Sequence, residues 1–373
     1  MADKEDVVQE EVKDESMEVK EEEEKKEEEK KEEEGKEESK EEESGKEAEK
    51  EEPKDKEEAK VEVEKEEVEE KEVEKEVEKE SPKDKEEVEE KQGGNDLEVC
   101  PGEKAEPAIY LSPKWADLPP QWNSVKGVSV CADKNKRFRR SMEDAHLCID
   151  NFCNNTSNGY FAIYDGHGGR NCVEYVEKHL HHLLSKMIEG GKPVPESLKQ
   201  SYLDVDDEIH ENEIKYSGTT AVSCCIMQEE DKKMLYVANC GDARAVLCRG
   251  GKAIRLTVDH KANDEEEAAR IRNAGGFILM NRVNGILAVT RSLGDQTMKE
   301  FVTGEPYLNQ IQLTAEDSHL IVACDGVWDV LEDQDACNIV MKEKDLKKKA
   351  ERLVGHSLKG GSTDNISVIV IVL

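Results

Sequence analysis

Aromatic side chains are missing from the first hundred residues; no Phe, Trp or Tyr occurs before Tyr110. A segment without them buries too little apolar surface to offset chain entropy, so it is expected to be disordered. Charge balance is missing there too. Residues 1–100 hold 48 acidic and 21 basic residues, about −27 of the formal net charge of −35, while the remainder holds 41 and 33. No apolar run approaches the roughly 18 residues that cross a bilayer. The acidic N-terminus lacks the apolar core of a secretory signal, so no membrane partner is expected. The chain has no CxxC pair, which argues against zinc ribbons and thioredoxin-like redox chemistry. Its eleven cysteines are scattered, mostly inside apolar stretches such as SCCIM and IVACD, and read as buried thiols in a reducing compartment. A GxxxxGK[ST] loop is absent, against a P-loop nucleotide enzyme. So is an HCxxGxxR loop, the cationic nest that a thiolate nucleophile needs.

What is present divides the chain into three. Residues 1–92 are a Glu/Lys-rich tail. Its Glu and Lys residues three or four apart support at most a transient helix, and its valines are too irregular for a coiled-coil seam. A basic protein such as a histone is the kind of partner such a tail suits. Residues 93–121 read as a linker with several prolines, and residues 122–373 as one folded domain. Near the domain start, Lys134, Lys136, Arg137, Arg139 and Arg140 form a basic patch. It reads as a nuclear-import signal, an anion site or a solvated loop; cytoplasm and nucleus are both compatible with it, and direct nucleic-acid binding is not expected. A monomer is expected.

The domain is organised around YFAIYDGHGGR, Tyr160 to Arg170. An apolar strand is expected to stop at Asp165, followed by Gly166 and His167 with little bulk around them. HLIVACDGVWDVL repeats the design, with Asp325 before Gly326. Asp144 follows Glu143 beside the basic patch, Asp242 adjoins a glycine at the end of another apolar run, and Asp364 precedes a continuous apolar strand. Carboxylates scattered this way are not needed for folding and cost solvation free energy if they converge unpaired. If they converge, a cation compensates, and oxygen ligands point to Mg²⁺ or Mn²⁺ rather than zinc. Such ions ready a water for attack at phosphorus, an arginine grips phosphate oxygens and a histidine protonates the leaving alkoxide. Helices are expected over Cys172–Ile188, Glu196–Ile214 and Asp335–Leu358, with another through EEEAARIRNAGG capped by Asn263 or Asp264. The histidines at 179, 181 and 182 read as surface residues on the first of these.

RRSMEDAH, YFAIYDGHGGR, SGTTA, ANCGDARAVL, DHK, NAGG, VNGILAVTRSLGD, ACDGVWDV and GSTDNISVIV occur in the order found in the type 2C, metal-dependent Ser/Thr protein phosphatase family, which the chain resembles from about Val125 to Leu373. The resemblance implies an α+β fold, a four-layer α-β-β-α sandwich with two central antiparallel sheets flanked by helices. It implies hydrolysis of phosphoserine and phosphothreonine in phosphoprotein substrates, without a phosphoenzyme. Carried over residue by residue, Asp165 bridges two metal ions, the Gly166 carbonyl ligates one, and Asp325 and Asp364 complete the site. Asp144 and Glu143 act mostly through water. Asp242, with Asp325 and Asp329, resembles a third, weaker site. Arg139 falls at the phosphate-gripping position and His167 at the general acid. The segment QTMKEFVTG after Asp295 is short where relatives carry a flap beside the active site. A catalytically inactive scaffold is the alternative; every expected metal carboxylate is present, which favours activity.

Overall fold

The computed structural model describes residues 105–373. The acidic tail, 1–92, lies outside the described residues.

Alternating side chains explain how the elements stack. In β4 (Gly159–His167), Tyr160, Ala162 and Tyr164 face one way, and Phe161 and Ile163 the other. Around it runs an antiparallel sheet ordered β1 (Ala108–Leu111), β3 (Ala145–Asp150), β4, β5 (Gly218–Glu229), β6 (Lys232–Cys240) and β12 (Tyr307–Gln312), with the two-residue β11 (Leu293–Gly294) also on β5. The second sheet is ordered β2 (Gly127–Asp133), β14 (Ile366–Val372), β13 (Asp317–Ala323), β7 (Arg244–Arg249) and β8 (Lys252–Arg255), again antiparallel. β14 is an interior strand, paired on both sides by β2 and β13, as its unbroken apolar run predicts.

Three cores follow from this alternation. The Tyr160/Ala162/Tyr164 face packs on Leu180 and Leu184 of α1 (Asn171–Glu189) and on Leu198, Tyr202 and Val205 of α2 (Val194–Glu211). The opposite face, through Phe161, Ile163, Val222 and Ile226, meets Val128, Val130, Val322, Ile369 and Ile371 of the second sheet. Val368 and Val370 of β14 turn the other way, onto Val340, Leu353 and Val354 of α5 (Asp333–Lys342) and α6 (Leu346–Lys359). The fold is therefore α+β, with antiparallel sheets and helices against them.

Several expectations change in detail. β4 runs through Asp165 to His167 rather than stopping at Asp165, because β5 pairs with it as far as Gly218. Residues 108–111, inside the segment read as linker, form an edge strand on β3; AIYL alternates in and out enough to pair. Between Lys232 and Gly251 the chain leaves the first sheet after β6 and enters the second at β7. Asp242 sits at that crossing. The helical stretch after Asp335 is broken into α5 and α6 at Glu343–Asp345, where the Asp345 carboxylate caps Lys347 N–H. Asp264 caps α3 (Glu265–Asn273), accepting from the N–H groups of Glu266 and Glu267. His181 is buried rather than on the surface, and neither ring nitrogen has a partner. RVNGILAVTRSLGD yields only the short β10 (Arg282–Val283), paired with β9 (Ile278–Leu279), and β11.

Candidate metal centre and active site

The carboxylates meet at one end of the two sheets. β4 carries Asp165, the turn before β3 carries Asp144, and α4 (Asp325–Trp328) begins at Asp325 where β13 ends. Asp364 lies just before β14, and Asp242 on the crossing from β6 to β7. A cleft of about 580 Å³ is lined by Arg139, Asp165, Gly166, His167, Asp242, Asp325 and Asp364, together with Thr220, Lys261 and Asp329. Asp144 lies buried beneath it, with ligand atoms of Asp144, Asp165 and Cys324 all within 4.8 Å of one another. Glu143 stays outside the lining, its carboxylate accepting from Ser141 Oγ at 3.0 Å and its N–H donating to Asn365 Oδ1 at 2.8 Å.

Local sequence explains the close approach. A Cβ on Gly166 would collide with the Glu143 carbonyl oxygen, so only glycine lets the 142–144 segment lie against β4. Arg170 holds that segment from the other side, donating to the Met142 carbonyl. Asn365 accepts from Glu143 and donates to the carbonyls of Lys134 and Ser141 at 2.9 and 3.0 Å. The TDN before β14 thus ties Asp364 to the loop bearing Arg139.

The charge does not balance within the protein. Arg139 pairs with Asp364, and Lys261 lies 3.3 Å from Asp242 and 2.9 Å from Asp329. Neither oxygen of Asp144 has a hydrogen-bond partner, and Oδ1 of Asp325 is likewise buried without one. Burial pushes the Asp144 carboxyl up to about 6. Burial, then the charges of Asp144, Asp325, Asp242 and Asp364, push Asp165 well above the carboxylate range. Burial, then Asp242 and Asp364, do the same to Asp325. Burial also raises Asp242 against the pull of Lys261, and Asp364 against that of Arg139. Bare buried carboxylates this close need a cation from outside, and the fit of the residues to one is good. Burial keeps the Cys324 thiol protonated, far above the usual thiol range, so the available donors are hard oxygens.

His167 faces this acidic group from the cleft wall. Its Nε2 lies 2.7 Å from Asp295 Oδ2, and Ser292 Oγ donates to the same oxygen. Gly218 makes room for the pair, since a Cβ there would strike both Asp295 and His167. Asp295 is buried, as are Thr220 and Asn365. Neither these three nor Lys261 was assigned a role from sequence, although SGTTA, DHK, RSLGD and STDN all contain them; a residue that acts by holding another leaves no chemical signature in spacing. The segment 296–304 also lies outside the cleft lining. Residues Met280, Asn281 and Arg282 of the β9–β10 hairpin, with Leu287 to Val289, form that wall.

These features define an oxygen-ligand, divalent-cation site with a guanidinium and an imidazole at its rim, the class of site that hydrolyses phosphate esters. A family model described as Protein phosphatase 2C matches residues 128–366. Protein phosphatase 2C homolog 1 of Saccharomyces cerevisiae is 42% identical over 261 residues, covering 66% of this chain and 93% of that protein. Its namesake from Schizosaccharomyces pombe is 42% identical over 252 residues, covering 65% and 72%. A crystal structure of serine-threonine phosphatase 2C from Toxoplasma gondii shares the fold, with a TM-score of 0.62 at 19% identity over 72% of this chain and 99% of that one. The chain belongs to the protein phosphatase 2C family and is a metal-dependent protein serine/threonine phosphatase.

Proposed function

We propose that the cleft binds two ions, Mg²⁺ or Mn²⁺, with a weaker third, and hydrolyses phosphoserine and phosphothreonine in one step. The observation that carries this reading is a set of clustered carboxylates with no ion pair of their own among the described residues: Asp144, buried, with Asp165 and Asp325, partly buried, beside it. In this reading Asp165 would serve both ions, the Gly166 carbonyl one of them, Asp325 and Asp364 would complete the site on the other, and Asp144 and Glu143 would act mostly through water. Asp242, with Asp325 and Asp329, holds the weak third. Ions bound there would lower the pKa of a water so that hydroxide is available for attack on phosphorus at neutral pH.

The chain's own groups do the rest. Arg139 stands at the cleft edge with a fork of donors for phosphate oxygens, exchanging its bond to Asp364 for the substrate. His167 delivers a proton to the departing serine or threonine oxygen. Asp295 fixes the imidazole through Nε2, leaving Nδ1 for the leaving group. Three successive cores are what a four-layer α-β-β-α sandwich would have between its layers, and they support that reading of the fold. Purified protein should release phosphate from a phosphothreonine peptide with Mn²⁺ and lose that activity in EDTA. Equal release in both, with the metal removal verified, would refute the assignment.

A further inference from the structure

Five of the seven residues from Lys134 to Arg140 are cationic, in a part of the chain whose acids outnumber its bases. Arg139 is the only one of the five with an ion pair among the described residues. Lys134 is spent on the backbone, its Nζ donating to the Arg140 carbonyl at 2.9 Å. Lys136, Arg137 and Arg140 are exposed, and the Arg137 guanidinium lies 5.2 Å from the ring centroid of the half-exposed Phe138. Some exposed cations elsewhere are paired, as Lys199 is with Glu305 and Arg352 with Glu343.

An ordinary solvated loop would spread such charges apart. This one is held. Asn365, buried, donates to the carbonyls of Lys134 and Ser141 at its two ends. Asn135 Nδ2 donates to the Ser362 carbonyl at 2.7 Å, and its own N–H to Asp133 Oδ1 at 2.6 Å. The N–H groups of Phe138 and Arg139 close a turn on the Asn135 carbonyl. The three unpaired cations are therefore presented on a fixed backbone, one to three residues from an arginine that lines the cleft. At about 3.5 Å per extended residue, that is the reach of the first few residues flanking a bound phosphoresidue.

We propose that this loop selects phosphopeptides whose phosphoserine or phosphothreonine is flanked by anions, either Asp/Glu side chains or a second phosphate. The proposal rests on the phosphatase reading above and names the substrate class of that same site. The cations at the rim offset the repulsion that an acidic cleft floor would otherwise exert on such a peptide.

The test uses the full chain with Mn²⁺ and four phosphothreonine peptides of one length, flanked by Ala, Lys, Glu or phosphoserine. An aryl phosphate without flanks is the reference. kcat/KM should be about tenfold higher for an anionic flank than for Ala at low salt, mostly through KM, as expected for a few exposed charge contacts. The difference should shrink in 0.5 M NaCl. A triple Lys136→Ala, Arg137→Ala, Arg140→Ala variant should level the ranking and leave aryl phosphate turnover unchanged. A gain from Glu assigns the loop to carboxylates; a gain from phosphoserine alone assigns it to a second phosphate. Equal rates for the Ala and both anionic flanks, or a ranking kept by the triple variant, would overturn the proposal. So would a loss of binding to single-stranded RNA in that variant with the peptide ranking intact. Anisotropy of the labelled peptides reads the same ranking without turnover, so loss of all Mn²⁺-dependent hydrolysis would sink the phosphatase reading alone.

Discussion

Two sets of buried or partly buried carboxylates in this domain meet opposite fates. Glu267, on α3, accepts from Arg270 and Arg291; burial works to raise its carboxyl, but the two guanidinium groups outweigh burial and hold it at about 2. Asp333 is likewise lowered, burial being outweighed by Arg255 and Arg244, the latter also bound to Asp259 and set over Trp328. Asp317 is lowered by Arg249 in the same way. Asp144, Asp165 and Asp325 have burial without such partners, and their carboxyls are raised. Burial is common to both sets; the difference is who supplies the positive charge. Where the protein supplies it, the carboxylate is part of the scaffold. Where it does not, the carboxylate awaits a cation.

The contrast breaks most visibly in activity. Asp165→Asn or Asp325→Asn should lower Mn²⁺-dependent phosphopeptide turnover by roughly a thousandfold or more, the scale of several kcal/mol of lost metal assistance. Near-normal turnover would place both residues with the scaffold set. Glu267→Ala should cost about 3 kcal/mol of stability by stranding two arginines, whereas Asp165→Asn should raise the melting temperature of the metal-free protein. Thermal melts in EDTA read both, and destabilisation by the asparagine would erase the distinction.

His167→Gln should slow a phosphoserine peptide by about a hundredfold, the usual scale of acid catalysis, and an activated aryl phosphate much less. Asp295→Asn should show the same leaving-group dependence. The double variant should be little worse than either single one, because both act through one imidazole. Additive losses would make Asp295 merely structural.

A smaller effect concerns pH. A carboxyl raised by folding gives stability that is fully present below its unfolded value, near 3.8, and lost as pH rises through its folded value, about 6 for Asp144. The metal-free protein should therefore melt higher at pH 5.5 than at pH 8, and Mn²⁺ should reduce that difference by taking over the charge. A metal-free melting temperature that rises across this range would contradict the unpaired state of the cluster.

Much of this was legible in the sequence because it depends on short-range rules. Continuous apolar runs gave β4 and β14, period-3.6 runs gave α1 and α2, and Asp264 announced α3. The eight carboxylate, glycine, arginine and histidine positions that line the cleft follow from residue type and from ordered motifs. Convergence itself was an expectation only, since spacing along a chain does not fix distance in space. What escaped were partners defined by tertiary approach. Asp295 meets His167 from 128 residues away, and Asn365 braces a loop more than 220 residues earlier. The strand at 108–111 was read as linker because four residues with one clear alternation compete poorly with nearby prolines.

The central claim is that acidic side chains from separate strands close around divalent ions. Crystals of residues 105–373 grown in Mn²⁺ and measured at the manganese absorption edge test it most directly. Anomalous peaks are predicted between Asp165, Asp325 and Asp364, with Asp144 behind them. A well-ordered cleft with those side chains turned apart and no anomalous density among them would contradict the claim.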